Sequence, residues 1–234
     1  MKIAVFSDVH GNYLNLISFY ESALKLGVDE FICLGDLCNY YPDNKKVIDF
    51  IIEKKITCIL GNHDEIYSKG IPLTIQKKID YRFDEDLLNS QDHTAFLKTL
   101  PLTIQKKYVD LNLCFCHAAP TDYLYTYIYP DTELDQFMDN DFDVIFFGHT
   151  HRQFFKTYKN KTFCNVGSVG LPRDNGSMMG FATFDTTTKQ IELYRKKSNK
   201  TDTLKLYSSH INDDVIAVLN REEELNYKYT LIND

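Results

Sequence analysis

Five of the seven histidines of this chain lie in short blocks that directly follow apolar, strand-like runs. The blocks that carry them are Asp8-Val9-His10, Gly61-Asn62-His63-Asp64, His117 and Gly148-His149-Thr150-His151. A further block, Gly35-Asp36, follows another apolar run, whereas His93 and His210 lie outside these blocks. Imidazole nitrogens and carboxylate oxygens are common ligands of divalent transition metals. The sequence therefore predicts a metal site where several strands end.

The spacing inside the blocks supports metal binding. Asp8 and His10 are separated by one residue, and so are His149 and His151. Side chains two positions apart on an extended chain point to the same side, so each pair can bind one ion together. Asp36 is the candidate for a carboxylate that bridges two ions, because Gly35 lets the backbone approach them closely. Nitrogen and oxygen ligands favour manganese, zinc or iron over calcium, and the absence of cysteine from the blocks argues against a structural zinc site.

Each block by itself also has an ordinary structural explanation. Asp-x-His and Gly-Asp are common at helix caps and turns, and the block 61–64 could likewise form a turn. An isolated histidine such as His117 is more often a core or loop residue than a ligand. The ordered set, with each member after an apolar run, favours the metal site.

The apolar runs predict an α/β fold. Strands are expected over 2–6, 31–34 and 57–60, with helices over 12–26 and 44–55 between them. The second half is strand-rich, with a short helix over 132–138. Its expected strands cover 102–106, 111–116, 144–147, 154–158, 163–166, 180–185 and 191–195.

Two segments differ from this strand-rich pattern. Residues 65–100 lack strand alternation and are interpreted as a helical cap or insertion, with a helix over 91–99. Residues 198–203 are polar and predict a linker, followed by a short amphipathic helix over 213–226. We therefore expect one domain over 1–197 and a C-terminal linker and helical extension over 198–234, packed on the same domain.

Composition limits the class of protein. The 234 residues are 44% hydrophobic and 25% charged, as in a soluble globular protein. The six cysteines lie mostly in or beside apolar runs without a secretory signal, which predicts free buried thiols. The absence of a signal peptide or membrane-length apolar run predicts a cytoplasmic protein without membrane binding. The net charge of −7 argues against strong nonspecific nucleic-acid binding. A phosphate substrate stays compatible with it, because bound cations reverse the local field.

The blocks together resemble the calcineurin-like metallophosphoesterase superfamily, over about residues 1–196. The segments 35–43 (GDLCNYYPD) and 165–174 (NVGSVGLPRD) resemble its small bacterial and archaeal phosphodiesterase branch. The resemblance implies a four-layer αββα sandwich, in which two mixed β-sheets are flanked by helices. It also implies a dinuclear metal site where the strand ends converge.

The resemblance further implies a role for each block residue. One metal would be held by Asp8, His10, Asp36 and His151, and the other by Asp36, Asn62, His117 and His149. His63 would be the non-ligand histidine beside the substrate. Asp64 would help to order that histidine or its loop, with a hydrogen bond to Asn62 as the alternative. The expected cofactors are two divalent ions, with manganese favoured and iron, zinc or nickel as alternatives.

The implied reaction is hydrolysis of a phosphate ester by in-line attack of a metal-bridging hydroxide, with His63 protonating the leaving oxygen or stabilising its charge. Protein phosphatases of the superfamily carry an Asp-Arg pair where this chain has Asn39-Tyr40, and no arginine adjoins the block 61–64. A phosphodiester substrate is therefore favoured, with Asn39 and Arg173 as candidate substrate contacts. The alternatives are a phosphomonoester, phosphoprotein or dinucleoside polyphosphate substrate, or a metal-binding scaffold that has lost hydrolysis.

Tyrosines flank the predicted site. They are Tyr40, Tyr41, Tyr123, Tyr125, Tyr127 and Tyr129. Their rings could stack on a nucleotide-like part of the substrate, or the alternating ones could pack as one face of a strand. Arg152 is also close to the site in sequence, with surface ion pairing as its alternative role. The sequence leaves a homo-oligomer open.

Overall fold

The computed structural model describes residues 1–70, 84–108, 110–225 and 227–232, which contain two mixed β-sheets. The first sheet consists of β1 (Lys2–Phe6), β2 (Glu30–Cys33), β3 (Thr57–Cys58), β9 (Met178–Asp185), β10 (Ile191–Lys197) and β11 (Thr230–Ile232). Its strand order is β11-β10-β9-β1-β2-β3. Strands β1, β2 and β3 are mutually parallel, so the residues after them emerge at one edge of the sheet.

The second sheet has the order β4-β5-β6-β8-β7. Its strands are β4 (Thr103–Tyr108), β5 (Leu111–Cys116), β6 (Val144–Phe147), β7 (Phe154–Tyr158) and β8 (Lys161–Asn165). Strands β5, β6 and β8 run parallel, whereas β4 and β7 are antiparallel to their neighbours. The sequence blocks at His117 and 148–151 therefore follow two parallel, hydrogen-bonded strands.

Alternation along the strands separates the apolar layers. Ile3 and Val5 of β1 face Phe115 of β5 and Phe146 of β6 in the core between the sheets. The opposite face of the first sheet packs against helices through a separate cluster that includes Phe6. The described α-helices are α1 (Tyr13–Lys25), α2 (Asn44–Glu53), α3 (Asn62–Ser68), α4 (Glu85–Leu88), α5 (Gln91–Thr99), α6 (Lys200–Tyr207) and α7 (Asp213–Leu219).

The outer face of the second sheet is covered by the segment 117–142. Ile128, Leu134 and Phe137 pack there against β5 and β6, and the segment contains the short 3₁₀-helix Asp135–Phe137. The predicted four-layer class with two mixed sheets is confirmed, and this fourth layer is mostly irregular. No helix among the described residues is long and apolar enough to span a membrane.

The prediction of free, buried thiols is also confirmed. All six cysteines are buried and unpaired by disulfides.

Several local predictions need correction. Residues 200–203, expected within a linker, form the first turn of helix α6. The preceding residue is held against helix α1, because the backbone N–H of Asn199 donates to Asn15 Oδ1 at 2.9 Å. Helix α7 ends at Leu219 rather than near residue 226. Strand β11, which the sequence did not indicate, pairs in parallel with β10. The domain division at 197 stays a prediction.

The tyrosine-rich segment 123–129 forms no strand, so its alternation does not mark a strand face. The Asp122 carboxylate accepts hydrogen bonds from Leu124 N and Tyr125 N, both at 3.3 Å, and from Thr126 Oγ1 at 2.9 Å. A carboxylate that binds the backbone just after it favours a turn over an extended chain.

The expected cap over 65–100 lies partly outside the described residues. Its described part supplies Ile66, Tyr67, Leu87 and Leu97 to the core on the helical side of the first sheet. Helix α3 begins at Asn62 and leads from the metal-site block into this segment.

Candidate metal centre

The loops after β1, β2 and β6 bring together the first predicted ligand group. His151 Nε2 lies 3.3 Å from Asp8 Oδ1 and 3.0 Å from His10 Nε2. Asp36 Oδ2 lies 3.6 Å from His10 Nε2. All four side chains are buried. Ligand atoms this close together form a group that can bind one ion.

The second predicted group forms on the other side of Asp36. His117 Nε2 lies 3.4 Å from Asp36 Oδ2 and 3.2 Å from His149 Nδ1. Asn62 Oδ1 lies 2.9 Å from the same His117 nitrogen. The structure thus places Asp36 in both groups, where the resemblance requires a shared carboxylate.

The backbone of these loops is unusual. Positive φ angles occur at Asp8, His10, Asp36, Asn39, Tyr40, His149 and His151. Such conformations cost about 1–3 kcal/mol each in non-glycine residues and concentrate at functional sites. Backbone hydrogen bonds between loops, such as His10 N to Asp36 O at 2.9 Å, hold them in place. The tertiary structure therefore fixes the directions of the site side chains.

The close approach that Gly35 permits is to a neighbouring loop. A Cβ at Gly35, whose φ is +89°, would lie 2.4 Å from Gly61 N. The glycine lets the loops after β2 and β3 touch, which differs from the expected approach to the metals.

Each of the four predicted histidine ligands has its outer ring nitrogen against a backbone carbonyl. The pairs are His10 Nδ1 with Cys38 O (2.8 Å), His117 Nδ1 with Leu34 O (2.9 Å), His151 Nδ1 with Leu171 O (2.7 Å) and His149 Nε2 with Tyr125 O (3.2 Å). A carbonyl only accepts, so in the neutral ring the proton sits on that nitrogen. The other nitrogen of each ring then presents a lone pair to the site, as in metal-binding histidines.

The inner atoms of the site are therefore acceptors that crowd one another. Asp8 Oδ1 is buried and has no hydrogen-bond donor among the described residues. Buried acceptors without donors are costly, and a cation satisfies them. Nitrogen and oxygen donors in this number suit manganese, iron, zinc or nickel. The residues present thus fit divalent metal ions.

The site also favours ionised carboxylates. Burial alone would raise the pKa of Asp8, but nearby His151 and His117 outweigh it and lower that pKa to about 2. The pKa of Asp36 is likewise lowered against the effect of burial, chiefly by His117 and His63. At His117, burial acts to lower the pKa, yet the charge of Asp36 raises it to about 9. The negative charge of the carboxylates therefore attracts positive charge to the site.

His63 lies beside the ligand groups, with its Nε2 4.0 Å from Asp36 Oδ2. Its Nδ1 lies 2.9 Å from the Asn39 amide nitrogen, and Tyr67 Oη donates to Asn39 Oδ1. An amide NH₂ only donates, so His63 Nδ1 accepts and its proton sits on Nε2, which faces the site. Burial lowers the pKa of His63 to about 4, which favours this neutral form.

The contacts of Asp64 are to loop backbones. Its Oδ1 accepts from Leu37 N at 2.9 Å and Cys38 N at 3.1 Å, and its Oδ2 accepts from Gly61 N at 3.1 Å. Burial and the charge of Asp36 raise the pKa of Asp64 to about 7. The Asp64 carboxylate therefore links the loops after β2 and β3, and the alternative bond to Asn62 is not among its contacts in the described structure.

The remaining predicted residues are placed differently. Asn39 is bonded to His63 and Tyr67, so its amide supports the histidine. Arg173 donates to Tyr40 Oη at 3.0 Å, and the Tyr40 ring lies 4.6 Å from the His10 ring. Arg173 is close enough for its charge to contribute to the lowered pKa of His151, whose main cause is burial.

The other residues that flank the site contact the surface residue Glu223, the C-terminal helices or the predicted ligand His149. Arg152 forms an ion pair with Glu223, in agreement with surface ion pairing, the alternative role predicted for it. Tyr41 is buried in a cluster with the C-terminal helices. The Tyr127 ring lies 4.1 Å from the His149 ring and stacks on Tyr129.

Some positioning residues were not among the predicted site residues. Asn165 Nδ2 donates to Gly148 O at 2.8 Å, and Ser168 Oγ donates to Asp8 O at 2.8 Å. Both lie in the segment 165–174 that carried the family resemblance, so a signal for them existed. Tyr67 had no such signal, because nothing in its sequence surroundings indicates a bond to Asn39.

Comparison with known proteins agrees with this geometry. Residues 1–189 match the calcineurin-like phosphoesterase superfamily domain, and the chain belongs to that superfamily. An uncharacterized protein of Methanocaldococcus jannaschii is 27% identical over 220 residues, covering 82% of this chain and 86% of that protein.

Solved structures share the fold. A metallophosphoesterase from Sphaerobacter thermophilus has a TM-score of 0.75 at 20% identity, covering 94% of this chain and 98% of that one. A hypothetical protein from Pyrococcus horikoshii has a TM-score of 0.77 at 16% identity, with coverages of 95% and 99%. These structures confirm the predicted fold class, and the match of residues 1–189 confirms the predicted superfamily.

Proposed function

We propose that this protein is a metal-dependent phosphodiesterase with a dinuclear centre. The observation that carries the proposal is the convergence of buried acceptors around Asp36, including Asp8 Oδ1, which no described donor satisfies. Asp8, His10, Asp36 and His151 would hold one divalent cation, and Asp36, Asn62, His117 and His149 the other. The superfamily membership supports a hydrolase of phosphate esters.

When bound, two divalent cations would polarise the phosphoryl oxygens and supply a hydroxide nucleophile at neutral pH. The protein positions the group that assists departure of the leaving oxygen. His63 Nε2–H faces the site because Nδ1, the other ring nitrogen, accepts a hydrogen bond from the Asn39 amide. We assign the neutral His63 as the hydrogen-bond donor to the charge that develops on the leaving oxygen, with Asn39 and Tyr67 as positioning residues.

The charges near the site favour a diester. A phosphomonoester is a dianion at neutral pH, and arginines commonly neutralise such groups with paired hydrogen bonds. Here Tyr40 occupies the place of the phosphatase arginine, and the Arg152 guanidinium is engaged by Glu223. Arg173 lies beside the site and donates to Tyr40 Oη, and no carboxylate among the described residues pairs with it. This small number of available arginines suits a monoanionic diester. We propose manganese as the metal ion.

The test is hydrolysis of bis-p-nitrophenyl phosphate and of p-nitrophenyl phosphate by metal-stripped protein, with manganese, iron, zinc or nickel added back. We expect the diester to be hydrolysed faster, and only with metal. Asp36→Asn should lower turnover by about 10³-fold, because it removes the charge shared by both groups. Asp139→Asn, at an exposed position, serves as the matched control.

Each other outcome has a definite meaning. Faster hydrolysis of the monoester would assign a phosphatase. Stoichiometric metal binding without turnover on either substrate would assign a scaffold. Full activity of Asp36→Asn would exclude the proposed centre.

A further inference from the structure

A cavity lies beside the metal centre, with a volume of about 380 Å³. It is lined by Tyr40, Tyr129, Arg152, Arg173, Val215 and Arg221, among others. The volume lies in the range of about 300–1,000 Å³ that is usual for sites of small ligands. One wall comes from helix α7, which lies beyond residues 1–189 and hence outside the family match.

Residues that line the cavity contact ligand residues of the metal centre. Leu171 lines it, and the carbonyl of Leu171 accepts from His151 Nδ1 at 2.7 Å. Arg173 N donates to His151 O at 3.0 Å. Tyr40 lines the cavity and places its ring 4.6 Å from that of His10. Tyr40 and Arg173 therefore connect the lining of the cavity with His10 and His151 of the metal centre.

The cavity carries an excess of positive charge. Arg221 Nη1 donates to Arg173 O at 3.4 Å, which places Arg221 beside Arg173. Neither guanidinium forms an ion pair with a carboxylate among the described residues. Arg152 is balanced by Glu223, and Asp214 contributes one acidic group to the lining. Arg173, Arg221 and Asp214 thus leave a net charge of about +1 in a protein whose overall charge is −7.

We propose that this cavity binds a second phosphate group of the substrate, through Arg173 and Arg221. The proposal rests on the proposed phosphodiesterase function and specifies its substrate class, a nucleotide-type diester that carries a further phosphate. Arginine binds phosphate through paired, charge-assisted hydrogen bonds, which makes two guanidiniums at one cavity a suitable receptor. Tyr40 and Tyr129 would flank the sugar or base between the two phosphates.

The test compares two substrates that differ by one phosphate. They are thymidine 5′-(p-nitrophenyl phosphate) and the same compound with a 3′-phosphate, assayed with metal-loaded protein. We expect kcat/KM to be about ten-fold higher for the 3′-phosphorylated compound, since charge-assisted hydrogen bonds to phosphate are the stronger kind. Arg221→Gln should lower this preference about ten-fold. Lys205→Gln, an exposed lysine of helix α6, should leave it unchanged.

Failure of this inference is distinguishable from failure of the proposed function. Equal kcat/KM for the two compounds, or a preference that Arg221→Gln does not reduce, would overturn the second-phosphate site while leaving the phosphodiesterase intact. Absence of metal-dependent hydrolysis of either compound and of bis-p-nitrophenyl phosphate would overturn both. The thermal unfolding midpoint of each variant shows that it is folded.

Discussion

Two buried polar clusters in this molecule differ in how their groups are satisfied. We call the first the Arg195 cluster, formed by Arg195, Asp174, Tyr227 and Gln153. Arg195 is fully buried and donates to the Asp174 carboxylate, to Tyr227 Oη and to Met178 O. Gln153 Nε2 donates to three backbone carbonyls, and Tyr227 Oη donates to Gln153 Oε1 at 3.3 Å. Each of the four side chains thus has hydrogen-bond partners within the protein.

The metal centre has the opposite composition. When its ligand histidines are neutral, its inner atoms are carboxylate oxygens and ring nitrogens with lone pairs, and the ring N–H groups point outward to backbone carbonyls. A cluster whose donors and acceptors find partners within the protein needs no ligand. A cluster of acceptors needs an external cation, which is why burial and polarity alone do not identify a functional site.

The largest expected effect is on stability, at the Arg195 cluster. Asp174→Ala leaves the Arg195 guanidinium buried without its carboxylate, so the free energy of unfolding should fall by about 3–5 kcal/mol. Urea denaturation at pH 7 measures this change. The double variant Asp174→Ala/Arg195→Met removes the charge as well and should recover part of the loss. A loss below about 1 kcal/mol for Asp174→Ala would mean that the cluster does not hold the fold.

The next effect is on turnover, at the metal centre. His63→Ala removes the donor to the leaving oxygen, so kcat for a diester with a poor alcohol leaving group should fall by about 10²-fold. A good leaving group such as p-nitrophenolate needs less assistance, and its loss should be smaller. His93→Ala is the control, because His93 pairs with Asp49 away from the site. Equal losses for both leaving groups would exclude His63 as the donor.

When a chelator keeps metals away, the histidines of the metal centre should make the free energy of unfolding depend on pH. The folded pKa of His63, about 4, lies below the unfolded value of 6.5 because of burial. The unfolded chain therefore takes up a proton first, and stability falls as the pH falls below 6.5. Between pH 7.5 and 5 the loss attributable to His63 is about 2 kcal/mol. His117, with its pKa raised to about 9, stabilises below pH 6.5, and this contribution is lost as the pH rises through 9.

Thermal unfolding across pH 5–7.5 measures this loss in the wild type and in His63→Gln. The variant should retain about 2 kcal/mol more of its own pH 7.5 stability at pH 5. Parallel pH profiles for the two proteins would show that His63 is not held neutral in the fold.

The smallest expected effect is on the orientation of His63. Tyr67→Phe removes the donor to Asn39 Oδ1, a hydrogen bond of about 1 kcal/mol, so kcat for a poor leaving group should fall about five-fold with KM unchanged. Tyr158→Phe also loses a hydroxyl contact, to Asp135 at 3.0 Å, but lies away from the site and should not alter kcat. A change in KM alone for Tyr67→Phe would place Tyr67 in substrate binding.

Much of the fold was predictable because its signals are local. The apolar runs before Asp8, Asp36 and His117 correspond to strands β1, β2 and β5. Helix α6 was missed because its sequence is polar, and its position depends on contacts with helix α1 such as that between Asn199 and Asn15. The sequence left the tyrosine-rich segment open because four alternating tyrosines also fit a strand face, and the contacts of Asp122 decide for a turn.

For the site, the sequence by itself determined the types of candidate ligand and their order along the chain. Residue type and the apolar run before each block are properties of a few neighbouring positions. Only the tertiary structure decided which ring nitrogen of each histidine faces inward, that Asn39 supports His63, and that Arg173 and Arg221 line one cavity. These features depend on left-handed backbone angles and on contacts between distant segments, which packing imposes and no local pattern encodes.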